Sequence, residues 1–124
     1  MNPPTVLMIF DEPQDLQLYG TYLRDRGYEP LMCASPGEGI NSLETEPVSI
    51  VIVSQGTPAF EGRQVLERSQ QLHPEVPVLV VARVVNMHCY LEAMDLGAFD
   101  YLGRPDPQDL AWVVEMQILH CAYA

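Results

Sequence analysis

Five short apolar runs alternate with segments of helical periodicity along the chain, at residues 6–10, 28–33, 50–53, 78–81 and 99–102. The strongest runs are continuous rather than alternating, which is typical of strands buried on both faces of a parallel sheet. The segments between the runs repeat their apolar positions every three or four residues, as amphipathic helices do. Five strands alternating with five helices predict a single α/β domain over residues 1–124, built on a doubly wound parallel sheet.

Proline, glycine and capping residues mark where the predicted helices begin and end. Pro13 suits the first turn of the first helix, and Ser35 with Glu38 predicts a capping box at the start of the second. Pro30 cannot donate to a neighbouring strand, so the second strand is expected near a sheet edge. The positions predicted to face the core from the first and third helices are Leu16, Tyr19, Leu23, Val65, Leu66, Ser69 and Leu72.

The fourth and fifth helices are rich in apolar residues. The fourth is capped by Asn86, ends at Gly97 and carries Met87, Tyr90, Leu91 and Met94. The fifth begins after Asp106 and is expected to turn one stripe toward the sheet, namely Leu110, Val113, Val114, Ile118 and Cys121. A second stripe points elsewhere and consists of Trp112, Met116, Leu119 and Tyr123.

The second stripe of the last helix predicts an interface, because a helix that is apolar nearly all round is usually covered on both sides. Trp112 and Tyr123 are residue types that anchor contacts between proteins. We expect a homodimer formed through this helix. The alternative is a frayed end, or a helix that continues into a linker of a longer protein.

The charge of the chain limits its partners. There are 17 acidic residues against 6 basic ones, giving a net charge of −11, and lysine is absent. Such a surface repels phosphate backbones and anionic lipids, so direct binding to nucleic acid or to a membrane is not expected. The first residues lack the basic start of a secretory signal, and the apolar runs are far shorter than the roughly 20 residues that cross a bilayer. We therefore expect a cytoplasmic protein.

Four segments carry a resemblance to a known family: VLMIFDEP at 6–13, IVIVSQGTPAFEG at 50–62, VPVLVVAR at 76–83 and GAFDYLGRP at 97–105. In content and spacing they resemble the receiver domains of two-component response regulators, including chemotaxis receivers, over nearly the whole chain. The resemblance implies a flavodoxin-like fold with strand order 2-1-3-4-5. It also implies a site at the carboxyl ends of strands one, three, four and five.

Receivers of this family use a small set of polar groups for phosphoryl transfer. An acidic pair holds Mg²⁺, an aspartate accepts the phosphoryl group, and a hydroxyl and a lysine bind its oxygens. In this chain the resemblance places these roles at Phe10 and Asp11 for the acidic pair, Ser54 for the aspartate, Ala82 for the hydroxyl and Arg104 for the lysine. The aromatic residue that reports the switch in the family is retained as Tyr101.

The missing carboxylate at position 54 does not depend on the details of the alignment, since no Asp or Glu lies between Val48 and Phe60. The resemblance therefore identifies the chain as a degenerate pseudo-receiver. Two interpretations of Ser54 remain open. It is either a phosphorylated serine with Asp11 as its base, or a serine that ends the strand with local hydrogen bonds.

Asp11 and Glu12 are weak candidates for metal ligands, so any Mg²⁺ is expected to bind poorly and no other cofactor is expected. Arg83 or Arg104 is predicted to pair with one of these acids and to fill the volume of the ion. The alternative is a solvated arginine beside an exposed acid. Phe10 is interpreted as a buried cap on the emptied pocket, or else as a platform on which a ligand stacks.

Three functions follow from these residues. The first is a phosphorylation-independent receiver-like module that acts in signalling by binding protein partners. The second is a receiver that keeps phosphorelay activity through an unconventional acceptor. The third is a sensor of a small anion or other ligand, using the crevice over Ser54, Arg83 and Arg104. Enzymatic activity is not expected, because no Ser/His/Asp or Cys/His arrangement and no phosphate-binding glycine loop is present.

Overall fold

The computed structural model describes residues 3–123, with side chains described for residues 3–121. Strands and helices alternate from one end to the other. The strands are β1 (Thr5–Ile9), β2 (Glu29–Cys33), β3 (Ile50–Ser54), β4 (Val78–Ala82) and β5 (Asp100–Gly103). The helices are α1 (Pro13–Asp25), α2 (Pro36–Thr45), α3 (Arg63–Leu72), α4 (Met87–Asp95) and α5 (Pro107–Tyr123).

The five strands form one sheet in the order β2-β1-β3-β4-β5, and every neighbouring pair is parallel. This order is the flavodoxin-like 2-1-3-4-5 arrangement, so the predicted fold class is confirmed. Pro30 lies in β2 at one edge of the sheet, as its missing N–H predicts. Because all strands run in the same direction, the carboxyl ends of β1, β3, β4 and β5 meet along one edge.

Both faces of the sheet are covered, which explains why its strands are continuously apolar. Leu7, Val51 and Val80 pack toward α2, α3 and α4, in a cluster with Leu43, Val65, Leu66 and Ala93. The alternate residues of the same strands pack toward α1 and α5, in a cluster with Leu16, Leu23, Leu110 and Val114. The predicted core positions of α1 and α3 are buried, except that Leu72 is only partly buried.

Two of the helix starts are capped as the sequence predicts. The Ser35 hydroxyl accepts the Glu38 amide at 3.3 Å, and the Glu38 carboxylate accepts the Ala34 amide at 2.7 Å. The second bond reaches one residue further back than in the usual capping box. At α4 the side chain of Asn86 accepts the Cys89 amide at 3.0 Å. These bonds satisfy amides that the first turn of a helix leaves without a partner.

The four large apolar side chains of α4 lie on its outer face, whereas the buried residues of this helix are Cys89 and Ala93. The small buried residues let α4 lie close to the sheet. The large apolar side chains of this helix form an exposed surface and do not contribute to the core. In the outer stripe of α5, Trp112, Met116 and Leu119 are exposed as predicted, and the side chain of Tyr123 lies outside the described residues. None of the helices, over the residues described, is long and apolar enough to span a membrane.

One prediction for α5 is wrong, because Cys121 is exposed instead of facing the sheet. Leu110 and Val114 of the same stripe are buried, and Val113 and Ile118 are partly buried. The reason is length, since 17 residues of helix extend about 25 Å and a five-residue strand extends about 17 Å. The last turns of α5 therefore pass beyond the sheet.

Candidate functional site

The carboxyl edge of the sheet brings together side chains that are far apart in the sequence. β1 leads into Phe10, Asp11 and Glu12, and β3 ends at Ser54. Asp11, Glu12 and Ser54 meet Arg83, which follows β4, in one hydrogen-bonded network. Arg104, which follows β5, is not part of it.

Ser54 and Asp11 bond to each other twice. The Ser54 hydroxyl donates to Oδ1 of Asp11 at 3.2 Å, and the Asp11 amide donates to the Ser54 oxygen at 3.4 Å. Both bonds join residues 43 apart, so they are not the local hydrogen bonds expected of a serine that ends a strand. They place a carboxylate where a base for that hydroxyl would be needed, so the interpretation with Asp11 as base keeps its geometry.

Arg83 makes the arginine–acid pair that the sequence predicts. One terminal nitrogen lies 3.2 Å from Oδ2 of Asp11 and the other lies 3.1 Å from Oε2 of Glu12. The three side chains are about 40% exposed, so each pair is worth no more than about 1 kcal/mol. The arrangement matters for its geometry, because one guanidinium holds two carboxylates together through separate nitrogens.

The residues at this edge do not fit the Mg²⁺ ion that the family uses. A divalent site of this kind needs several oxygen ligands with little competing positive charge. Here β3 ends in a serine hydroxyl, and the two carboxylates that follow β1 already bind Arg83. Among the residues described, no group of three or more His, Cys, Asp or Glu side chains could hold a metal ion.

Phe10 is turned away from the crevice and is 2% exposed. Its ring packs against Tyr19 with 5.6 Å between centroids, in the cluster on the α1 and α5 side of the sheet. A ring buried in this way offers no face to a ligand, so the stacking-platform interpretation is wrong. The residue to which the resemblance assigned one acid of the family's pair is part of the core.

Arg104 lines a crevice of about 380 Å³ together with Arg83, Thr57 and Asn86. Its backbone is left-handed, with φ of 40°, and its amide donates to the Ala82 carbonyl at 2.8 Å. It makes none of the ion pairs found in the described part of the chain. The prediction that an arginine bridges the edge therefore holds for Arg83 and not for Arg104. Ala82 itself is buried.

A buried pair, Gln55 and Tyr101, lies beside this network. The Tyr101 hydroxyl donates to Oε1 of Gln55 and accepts the Asn86 amide at 3.1 Å. Burial raises the pKa of the Tyr101 phenol, and the bond from Asn86 only partly opposes this, so the phenol stays protonated at neutral pH. Gln55 was not among the residues predicted from the sequence; its one signal is that it is a polar residue directly after the apolar strand β3.

Trp112, one of the predicted interface residues, lies on the side of α5 that is next to the end of α1. Here Trp112 lines a cleft with Arg26 at the end of α1 and with Glu115. The helical rotation set by the buried Leu110 and Val114 turns it toward α1.

Comparison with known proteins agrees with this geometry. The model of the response regulator receiver domain family matches residues 6–115. A putative NtrX-like response regulator of Rickettsia felis is 29% identical over 112 residues, covering 88% of this chain and 23% of that protein. The transcriptional regulatory protein GlrR of Escherichia coli is 28% identical over 108 residues, covering 87% of this chain and 24% of that protein. The chain thus spans about a quarter of the length of these relatives.

Solved structures show the same fold. A CheY-like receiver domain protein from Methanospirillum hungatei has a TM-score of 0.92 at 23% identity, with 98% of each chain covered. A receiver domain from Clostridium thermocellum has a TM-score of 0.84 at 28% identity, covering 94% of this chain and 95% of that chain. Sequence and fold therefore agree, and the chain belongs to the family of response regulator receiver domains of two-component systems.

Proposed function

We propose that this chain is a non-catalytic, degenerate receiver that signals by binding protein partners without being phosphorylated. The observation that carries the proposal is the Arg83 bridge, which binds both Asp11 and Glu12 and offsets part of their charge beside a β3 that ends in Ser54. In this arrangement a fixed positive charge of the chain stands beside the two acids, and no carboxylate stands at the acceptor position.

The chemistry of Ser54 supports the same conclusion. A serine hydroxyl has a pKa far above that of a carboxylic acid, so it needs a base to become a nucleophile. The only carboxylate that it contacts among the described residues is Asp11, which also binds the Arg83 guanidinium. That carboxylate is therefore already committed to an ion pair, which is a poor arrangement for removing the proton of Ser54.

We expect the chain to gain no phosphoryl group when it is incubated with acetyl phosphate and Mg²⁺. Intact-mass spectrometry measures this directly, with a receiver that has the usual aspartate as the control for active reagent. A gain in mass that disappears in Ser54→Ala would contradict the proposal and support the unconventional acceptor. A gain that persists in Ser54→Ala would place the acceptor at another residue.

Arg83→Gln is expected to make the domain responsive to Mg²⁺. Removing the guanidinium leaves two like charges side by side, so Tm should fall by no more than about 5 °C and millimolar Mg²⁺ should restore part of the loss. In the wild type, MgCl₂ should act no differently from NaCl of equal ionic strength. Thermal unfolding with and without the ion tests both statements.

The matched control for Arg83→Gln is Arg68→Gln, which removes an exposed arginine paired with Glu44 at 2.8 Å, away from the carboxyl edge. This variant should show no response to Mg²⁺. If the wild type were stabilised by Mg²⁺ as strongly as Arg83→Gln, the proposal that the guanidinium excludes the ion would be wrong.

We propose that the chain self-associates through the outer face of α5, where Trp112 is 61% exposed beside Met116 and Leu119. Trp112→Glu should abolish a concentration-dependent dimer in sedimentation velocity, because it adds charge to the apolar patch. Leu18→Glu is the control, since it changes a similarly exposed apolar residue on α1. A wild type that stays monomeric, or a Trp112→Glu variant that still dimerises, would contradict this proposal.

A second candidate function is supported by the crevice of about 380 Å³ between Arg83 and Arg104. Two arginines that line a cavity of this size suit a small anion such as a phosphate, although Arg83 would have to share its guanidinium with Asp11 and Glu12. Inorganic phosphate should then raise Tm in the wild type and not in Arg104→Gln, because a ligand stabilises the state that binds it. Equal curves with and without phosphate would exclude this candidate for that anion.

A further inference from the structure

Gln55 is a polar residue in an apolar place, directly after β3 and 2% exposed. A buried amide is tolerated when its donors and acceptor find partners. Its side-chain nitrogen donates to the Thr57 carbonyl at 3.3 Å, and its backbone amide donates to the Val81 carbonyl at 2.8 Å. The remaining acceptor, Oε1, receives the proton of Tyr101.

The direction of these hydrogen bonds follows from the chemistry of the groups. The backbone N–H of Asn86 can only donate, so the Tyr101 oxygen accepts there and directs its own proton to Gln55. The amide of Gln55 must then present its oxygen to Tyr101 and its NH₂ group to Thr57. Two loops and strand β5 are joined in one chain of bonds with a single polarity.

The position of α4 depends on this chain. Asn86 is the N-cap of α4, and the Tyr90 ring of α4 meets the Tyr101 ring edge-on with 5.6 Å between centroids. Val85, just before the cap, lies so close to Gly103 of β5 that a Cβ there would meet its side chain at 2.3 Å. The first turn of α4 is thus held from β5 through Tyr101, and Tyr101 is held from β3 through Gln55.

We infer that Gln55 is a positioning residue that latches Tyr101 in its buried place and so fixes the start of α4 without any covalent signal. The latch also fixes the exposed apolar surface of residues 84–94, which includes Val84, Val85, Met87 and Leu91. Its meaning for signalling rests on the proposed phosphorylation-independent function. The latch itself is a property of the fold and is tested separately.

The test is hydrogen exchange at the Asn86 amide, measured by NMR. Gln55→Met keeps the shape of the side chain but removes the acceptor, and should speed exchange at Asn86 by up to about tenfold, the equivalent of one hydrogen bond. Tyr101→Phe should speed it at least as much, because it removes the oxygen that Asn86 bonds. Tyr90→Phe is the control and should leave exchange at Asn86 unchanged.

The double variant separates a latch from a residue that only fills space. In the Tyr101→Phe background, Gln55→Met should speed exchange at Asn86 no further, since its partner is already gone. Equal effects of Gln55→Met in both backgrounds would overturn the inference. Unchanged exchange in Tyr101→Phe would overturn it even if Gln55→Met failed to fold. Phosphorylation of the wild type by acetyl phosphate would overturn the proposed function and leave these exchange results as they are.

Discussion

Phe10→Asp is expected to destabilise the domain by about 3–5 kcal/mol, although it restores a residue type that the family uses at this place. Phe10 is buried against Tyr19 in the cluster covered by α1 and α5. An aspartate there loses the packing of the ring and buries a charge among apolar side chains. Because domains of this size are stable by about 5–15 kcal/mol, urea unfolding should show a large loss.

The pH dependence of this variant distinguishes charge burial from lost packing. Burial raises the pKa of an introduced carboxyl above its unfolded value of about 3.9, so the destabilisation should grow as pH rises through that range. It should shrink at acid pH, where the carboxyl is neutral in both states. Phe10→Leu is the control, with a loss of about 1–2 kcal/mol that does not change with pH relative to the wild type. Equal losses for both variants at neutral pH would show that position 10 tolerates a charge.

Gly62→Ala is expected to cost about 1–3 kcal/mol and to loosen the end of β3. A Cβ on Gly62 would lie 2.2 Å from the Ser54 carbonyl oxygen and 3.1 Å from the Val53 side chain. The nearest atom belongs to the backbone and cannot rotate away. The φ of Gly62 is −67°, which any residue adopts, so the cost is steric and not conformational.

Gly37→Ala is the matched control for this second prediction. Gly37 lies in the first turn of α2, and nothing stands within 4 Å of a Cβ built on it. Alanine favours helix over glycine, so this variant should be neutral or more stable by up to about 1 kcal/mol. Chemical unfolding of both variants makes the comparison. If Gly62→Ala were as stable as Gly37→Ala, α3 would not approach Ser54 as closely as described.

Together these variants separate the residues at the carboxyl edge that support folding from those that determine what the edge binds. Phe10 and Gly62 support the sheet and the close approach of α3, so changing them affects folding. Arg83, Ser54 and Gln55 are joined to their partners by hydrogen bonds at the surface or just beneath it, so changing them affects what the edge binds and how α4 is held. Introducing the acids that conventional receivers use would therefore require changes both in the packing beneath the edge and in the hydrogen bonds at its surface.

The sequence by itself determined the strands, their burial on both faces and the helix starts, because each depends on neighbours within a few residues. Continuous apolar runs required a covered parallel sheet, and Ser35 and Asn86 required caps. That residues 48–60 contain no Asp or Glu is likewise a property of the sequence alone. An arginine bridge was predicted, since both arginines follow strands that end at the same edge.

Only the tertiary structure decided which groups meet. Arg83 binds Asp11 and Glu12. Arg104 has a left-handed backbone and makes no such pair in the described part of the chain. The pairing of Gln55 with Tyr101 joins residues 46 apart, and the turn of Trp112 toward Arg26 follows from the rotation of α5. Long side chains at the edge of a sheet have several partners within reach. Which one they bind depends on backbone positions to within an ångström, and these are set by packing across the whole domain.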